Sequence, residues 1–166
     1  MKVLLVLPKC RLSFFGYSGI SSGFPHLGLG YLISILKQNN FVVELFDAGS
    51  NEGRYTLTAS LERFKPDLIG ITMYTPTRHF AYQALSDIKK ITDTPVVMGG
   101  PHISTFRKKV LEETAADFAI KHEGEFALLE LVEALDRNKK DLSQIKGLIW
   151  RDNDHIIENE DRPFIE

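Results

Sequence analysis

The residues with chemical potential gather in four short stretches. They are Phe24-Pro25-His26-Leu27-Gly28-Leu29-Gly30, Thr72-Met73-Tyr74-Thr75, Gly99-Gly100-Pro101-His102 and Glu123-Gly124-Glu125. Each mixes small residues with imidazole, hydroxyl or carboxylate groups. Small residues let a ligand approach the backbone, and a glycine pair also admits positive φ. Gly70 lies inside the apolar run Leu68-Ile69-Gly70-Ile71-Thr72. Glycine weakens a strand there and marks close approach of a ligand or of another backbone. The chemistry these types support is the holding of a large flat ligand in a slot. The chain has 1 cysteine, Cys10. That excludes an internal disulfide, a four-cysteine zinc site and a self-contained iron–sulfur cluster. Nothing around Cys10 marks it as a reactive thiolate, and such sparing use of cysteine fits the reducing cytoplasm.

The elements that must position these groups are legible from the hydrophobic pattern. Val3 to Leu7 is a continuous β-prone run, suited to a strand buried on both faces. A Gly- and Ser-rich stretch from Lys9 to Gly23 follows, long for a βα connection and therefore a candidate functional loop. Leu29, Leu32, Ile33 and Leu36 share one helical face, which should end near Asn39-Asn40. Further strands are expected at 41–46, 68–72, 96–98 and 117–121. Between them Leu57, Leu61 and Phe64 mark one helix, and Phe80, Ala81, Ala84, Leu85, Ile88 and Ile91 another, opened by Thr75-Pro76-Thr77 as cap and first turn. Ser104 or Thr105 can cap a short helix containing Phe106, Val110 and Leu111. Phe126, Leu129, Val132 and Leu135 form the stripe of the last helix.

Strands alternating with helices predict an α/β fold: a doubly wound five-stranded parallel sheet, flavodoxin-like or Rossmann-like, of order 2-1-3-4-5. Gly147-Leu148-Ile149-Trp150 and His155-Ile156-Ile157 flank the turn Asp152-Asn153-Asp154, which predicts a C-terminal β-hairpin. The expected organisation is an α/β domain over 1–140, the hairpin extension over 141–158 and a linker over 159–166. The acidic end reads as an edge or linker and not as core, with Trp150 covering the sheet edge. A length of 166 residues fits one such domain, with 43% hydrophobic residues and a net charge of −2. That balance argues against a nucleic-acid partner, and apolar runs as short as Val3 to Leu7 argue against a membrane span.

In this architecture ligands bind at the C-terminal ends of the strands, where the four stretches fall. The small residues predict a slot beside the first, third and fourth strands, with Gly28 and Gly30 leaving a shallow helix face. Three common uses of the fold fit poorly. Pro8-Lys9-Cys10-Arg11 stands where a dinucleotide fingerprint would need glycines. Thr72-Met73-Tyr74 lacks the Asp of a phospho-receiver, and the spacing of Ser18, Ser21 and Ser22 is unlike a flavin phosphate loop.

Pro25-His26-Leu27-Gly28-Leu29-Gly30-Tyr31-Leu32, Lys65-Pro66-Asp67-Leu68-Ile69-Gly70-Ile71, Gly99-Gly100-Pro101-His102 and Glu123-Gly124-Glu125 occur in an ordered series. In that series the chain resembles the N-terminal cobalamin-binding domain of cobalamin-dependent radical S-adenosylmethionine enzymes, over nearly its whole length. The resemblance implies a corrin ring over the strand ends and a nucleotide tail running past Thr72 and Gly99-Gly100. It implies His26, Leu27, Gly28, Gly70, Thr72, Tyr74, Thr75, Gly99, Gly100, Pro101, His102 and Gly124 as cofactor-binding residues, with no catalytic residue in this chain.

Related domains of methionine synthase and the mutases carry D-x-H-x-x-G, whose His ligates cobalt. Here no Asp stands two before His26 and no Gly three after it. A carboxylate in that place fixes the tautomer of a metal-binding His, so cobalt is expected to lack a His26 ligand, and His26 reads first as a helix-start residue. His102 reads equally as a contact to the ligand's polar edge or as the start of a helix. Glu123 and Glu125 suit a helix N-terminus in their own right. Tyr74 can stack on a corrin or pack under the loop. Arg107-Lys108-Lys109 reads as a solvated helix face.

The resemblance further implies that the chain is not catalytic alone. S-adenosylmethionine and a 4Fe-4S cluster are expected only in a following C-terminal radical domain, because the C-x-x-x-C-x-x-C motif is absent. Residues 160–166 resemble the linker toward that domain, so the chain is expected to be the N-terminal segment of a methyltransferase or of an oxidoreductase or cyclase. Two alternatives remain open at this point: a flavodoxin-like module holding flavin mononucleotide, and a cobalamin-free interaction domain of the same family.

Overall fold

The computed structural model describes residues 1–9, 12–14, 17–19, 26–49, 56–153 and 155–165. In chain order the strands are β1 (Lys2–Leu7), β2 (Leu12–Phe14), β3 (Tyr17–Gly19), β4 (Val42–Asp47), β5 (Leu68–Thr72), β6 (Val96–Gly99), β7 (Phe118–Ile120), β8 (Leu148–Asp152) and β9 (His155–Glu158). The α-helices are α1 (Leu27–Gln38), α2 (Leu57–Phe64), α3 (Arg78–Ile91), α4 (Pro101–Phe106), α5 (Lys109–Glu112) and α6 (Glu125–Asp136).

The apolar runs pair because each can bury both faces. β4, β1, β5, β6 and β7 lie parallel in that order, which is the expected 2-1-3-4-5 arrangement. Strict alternation then divides the core. Leu4, Val6, Ile69, Ile71 and Met98 face α2, α3, α4 and α5 through Leu61, Phe64, Leu85, Ile88, Ile103 and Leu111. Val3, Leu5, Leu68, Val97 and Ile120 face α1 and α6 through Leu29, Leu36, Leu128 and Leu131. In the long first loop, β2 and β3 form a small antiparallel pair. Cys10, Phe24 and Pro25 lie outside the described residues.

Several local expectations are corrected. Thr75–Thr77 is a 3-10 turn, and α3 starts only at Arg78, without a side-chain cap. The Thr75 hydroxyl is engaged instead with His102 Nδ1 at 3.1 Å. The helix assigned to 104–111 is two helices. α4 starts directly after Gly100 with Pro101 in its first turn, and Arg107 at φ 51° separates it from α5. Neither proposed cap acts as one, because Ser104 Oγ accepts from the His122 N–H and Thr105 donates to the Pro101 carbonyl. The buried face of α6 is Ala127, Leu128, Leu131, Val132 and Ala134, and Phe126 is exposed. That helix packs on α1 as well as on the sheet, so its buried face is wider than one stripe and rotated from it. Gly30 is exposed and shapes no slot.

The expected C-terminal hairpin is present, and only its reading as an edge or linker outside the core is corrected. β8 pairs antiparallel with β7 and carries β9 on its outer side, making a seven-stranded mixed sheet. Trp150 sits opposite Phe118, is 6% exposed and belongs to the core. Its indole N–H donates to Asn159 Oδ1 at 3.3 Å, while Asn159 Nδ2 donates to the carbonyls of Leu142 and Ile145. The hairpin thus completes the sheet instead of only covering its edge. Among the described residues no helix is long and apolar enough to cross a membrane.

Candidate functional site

Parallel pairing sends the C-terminal ends of β1, β5, β6 and β7 to one side, where α1 and α6 begin. Between the sheet and these two helices lies a cavity of about 200 Å³. Its floor is Leu5, Gly70, Val97 and Ile120. Its walls are Gly28, Leu29 and Leu32 from α1 and Glu125 and Leu128 from α6. Its mouth is His26, Thr72, Tyr74, Gly99, Gly100, Pro101, His122, Glu123 and Gly124.

The depth of the slot comes from missing side chains. The register sets Gly70 between Leu5 and Val97. A Cβ at residue 70 would lie 2.7 Å from Leu5 Cδ2, so any side chain there would displace the floor. Gly99 follows Val97 on the same face of β6, and a Cβ there would meet nothing within 4 Å. Gly100 has a different job. Its φ is 106°, and a Cβ would lie 2.6 Å from the Met73 carbonyl oxygen. This tight turn lets Met73 N–H donate to Gly99 and Met73 O accept from His102 N–H, joining the β5 and β6 loops.

His26 caps α1. Its Nδ1 accepts from the Leu29 N–H at 3.2 Å, so the proton of the neutral ring resides on Nε2. That Nε2–H donates to the Tyr74 hydroxyl at 2.9 Å across the mouth. Both ring nitrogens are therefore engaged. Of the other expected site residues, Gly28, Gly70, Thr72, Tyr74, Gly99, Gly100, Pro101 and Gly124 line the cavity with His26. Leu27, Thr75 and His102 do not. Leu27 is 74% exposed on the outer side of α1. His102 is 3% exposed, packed on Phe106 with ring centroids 4.3 Å apart and bonded to Thr75. Burial, and then the positive charge of Arg78, push its pKa down, which favours the neutral ring.

Sequence reasoning did not place Leu5, Leu32, Ile71, Val97, Met98, Ile120 or Leu128 at the site, and it put Leu29, His122, Glu123 and Glu125 at the rim without assigning them a ligand contact. The apolar members carry only the signal of ordinary core positions. Among the described residues, Glu125 Oε2 is the one buried side-chain polar atom without a hydrogen-bond partner.

Beside the mouth, Lys121 is 1% exposed. Its Nζ donates to Glu158 Oε1 at 3.0 Å and to the Asn159 carbonyl at 2.9 Å, and it pairs with Asp161 Oδ1 at 2.5 Å. Arg107 joins Glu158 and Asp161, so it is a partner in this cluster and not part of a solvated face. The hydrogen bonds from Lys121 and Arg107 hold the Asp161 pKa down at about 2. Burial alone would raise that of Glu158, but hydrogen bonds from Arg107 and Lys121 outweigh it and leave it below its ordinary value. The cluster fixes the last residues along the mouth, where Ile165 N–H donates to Glu123 Oε2 at 2.6 Å and Phe164 meets His122 edge-on.

A glycine-cut, largely apolar slot with hydroxyl and imidazole groups at its mouth fits a flat organic group. Small-ligand pockets span roughly 300–1,000 Å³. The space within the slot therefore takes an appendage of a large ligand and not an entire macrocycle.

Comparison with known proteins agrees with this geometry. The family model described as B12 binding domain matches residues 20–132. An uncharacterised methyltransferase of Pyrococcus horikoshii is 32% identical over 169 aligned residues, covering 100% of this chain and 36% of that protein. The anaerobic magnesium-protoporphyrin IX monomethyl ester cyclase of Rubrivivax gelatinosus is 28% identical, covering 90% of this chain and 28% of that protein. Among solved structures, the radical S-adenosylmethionine methyltransferase TsrM from Kitasatospora setae, with cobalamin and a 4Fe-4S cluster bound, superposes with a TM-score of 0.78. It is 23% identical, and the match covers 99% of this chain and 30% of that one. The chain thus spans about a third of the length of these relatives. The flavin alternative finds no support among them.

Proposed function

The chain belongs to the B12-binding domain family, and from that premise we propose that it holds a corrinoid at the C-terminal edge of its sheet, with the nucleotide tail in the slot. The observation that carries this reading is the glycine-cut cavity formed by Gly70, Gly99 and Gly100, whose size suits a tail and not a corrin ring. A bound corrinoid supplies a cobalt centre able to carry a methyl group or support related radical chemistry, and the protein supplies binding and orientation.

The residues divide that work. Leu5, Val97, Ile120 and Leu128 offer an apolar floor and wall that exclude water from the tail. Thr72 offers a hydroxyl at the mouth. Gly99 keeps the backbone close to the ligand, and Gly100 holds the turn beside it. His26 acts as the cap of α1 and the partner of Tyr74, and supplies no cobalt ligand, because both of its nitrogens are committed.

The relatives' greater length supports a second domain working on the same cofactor, carrying S-adenosylmethionine and a 4Fe-4S cluster, in a cytoplasmic methyltransferase or cyclase. The test is direct. The purified chain is mixed with hydroxocobalamin, desalted, and its visible spectrum recorded. A retained corrin band is expected, and His26→Ala should leave its position unchanged. Protein free of corrinoid after desalting would refute the reading.

A further inference from the structure

The residues after β9 belong to no strand or helix, yet they are bonded at nearly every step. Gly147 N–H donates to the Glu160 carbonyl at 2.7 Å, Arg162 pairs with Glu130 of α6, and Ile165 N–H donates to Glu123 Oε2 at 2.6 Å. Asp161 pairs with both Lys121 and Arg107. Lys121 directly follows β7 and is as buried as a core residue. Burying a cation is costly, and apolar residues of similar volume often stabilise a fold as much or more. Stability alone therefore does not call for this cluster. What it achieves is placement, because it holds the chain after β9 along the mouth of the slot.

That placement sets an aromatic side chain beside the opening. Phe164 meets the His122 ring edge-on with centroids 5.5 Å apart, and the mouth is lined by His122 and Glu123, the two residues that Phe164 and Ile165 contact. Phe164 is nonetheless 69% exposed, so it contributes little to the core and is open to a ligand. Tyr74, also exposed, stands on the other side of the mouth. β6 lies between the strands that lead to Tyr74 and to His122, so those strands are two spacings apart, about 10 Å.

We propose that Phe164 contacts the part of the cofactor that lies outside the slot, packing on the corrin ring, and that Lys121, Arg107 and Asp161 are the positioning residues that hold it there. This rests on the corrinoid reading above and deepens it. The slot takes only the tail, so the ring lies over the mouth, with Tyr74 at one edge and Phe164 at the other. The contact is made to the ring that all corrinoids share, whereas the glycine-cut slot receives the tail.

The experiment compares cobalamin with cobinamide, which keeps the corrin ring but lacks the nucleotide tail. Dissociation constants are measured by visible-absorbance titration for the chain, Phe164→Ala, Phe164→Tyr, Asp161→Asn and the double variant Phe164→Ala with Asp161→Asn. Urea unfolding checks the fold of each. Phe164→Ala should leave the unfolding midpoint unchanged, because the side chain is largely exposed. It should weaken cobalamin and cobinamide alike, by about threefold to tenfold, the worth of one aromatic contact. Phe164→Tyr, which keeps the ring, should retain the affinity. Asp161→Asn should weaken both corrinoids, and adding it to Phe164→Ala should weaken them no further, because Asp161 acts by placing Phe164. Unchanged affinity in Phe164→Ala, or a loss confined to cobalamin, would overturn the ring contact. Additive losses in the double variant would overturn the positioning role of Asp161. Either result leaves the corrinoid reading standing, whereas failure of the unsubstituted chain to bind either corrinoid would sink both.

Discussion

Adjacent glycines at the end of β6 should respond to the same substitution in opposite ways. Gly100 occupies φ 106°, ψ 177°, a region almost closed to residues with a Cβ. Holding alanine there costs about 1–3 kcal/mol in backbone strain. The new Cβ would also lie 2.6 Å from the Met73 carbonyl oxygen and 3.1 Å from its nitrogen, which are backbone atoms unable to swing aside. Relieving that overlap costs a further amount, about 1–3 kcal/mol. Gly100→Ala should therefore destabilise the chain by about 2–6 kcal/mol, a large share of the usual stability of a domain. Gly99→Ala meets no atom within 4 Å and requires no positive φ. It should be neutral or stabilising by about 0.4–1 kcal/mol, through the reduced entropy of the unfolded chain. Its methyl enters the slot, however, and should weaken corrinoid binding roughly tenfold or more. Urea unfolding followed by the fluorescence of the single tryptophan, which is buried, measures the first effect, and absorbance titration the second. A Gly100→Ala protein within about 0.5 kcal/mol of the parent, or a Gly99→Ala protein less stable than it, would refute the separation of a folding glycine from a ligand glycine.

Other consequences can be measured in the same way. His26→Ala should lose about 0.5–2 kcal/mol, the usual worth of an N-cap, whereas Tyr74→Phe should lose about 0.5 kcal/mol, because Tyr74 is exposed and its bond to His26 competes with water. Equal losses would mean that the cap bond is not what matters at His26. Trp150→Ala should cost about 3–5 kcal/mol and leave Asn159 Oδ1 without its donor, and a loss below about 1 kcal/mol would show that the hairpin is not part of the core. Stability should also depend on pH through two groups whose folded pKa values are depressed. Asp161 contributes stability that is fully present above its ordinary 3.8 and is lost as pH falls toward about 2. His102 contributes stability present above 6.5 and lost as pH falls below it, because the unfolded chain takes up the proton first. Asp161→Asn should flatten the acid limb and His102→Gln the limb below 6.5, and curves unchanged by either substitution would contradict the assigned causes.

Much of the fold could be read from the chain because its signals are local. Val3 to Leu7 and Leu68 to Thr72 are continuous apolar runs that can only be buried on both faces, and their alternation with helical periods leads to a parallel sheet. Gly70, Gly99 and Gly100 could be singled out because glycine in or beside a strand needs a reason. Three of the expected site residues do not line the cavity, and each lies away from it for a tertiary reason. Leu27 is one helical step from the inward face of α1, a displacement that sequence spacing near a cap does not resolve. Thr75 and His102 bond each other, a pairing of residues from two loops that neither loop announces.

Local signals along the chain set the strand and helix series, the order of the five parallel strands and the clustering of small residues at one edge. All of these follow from hydrophobic period, chain length and the conformational reach of glycine. Which side chains meet depends on the packing of elements distant in the chain. That packing set Gly70 between Leu5 and Val97, bridged His26 to Tyr74, drew Arg107 and Lys121 onto Glu158 and Asp161, and left Glu125 Oε2 buried without a partner among the described residues. Cross-strand register and loop packing join residues far apart in the chain, and no local period records those distances.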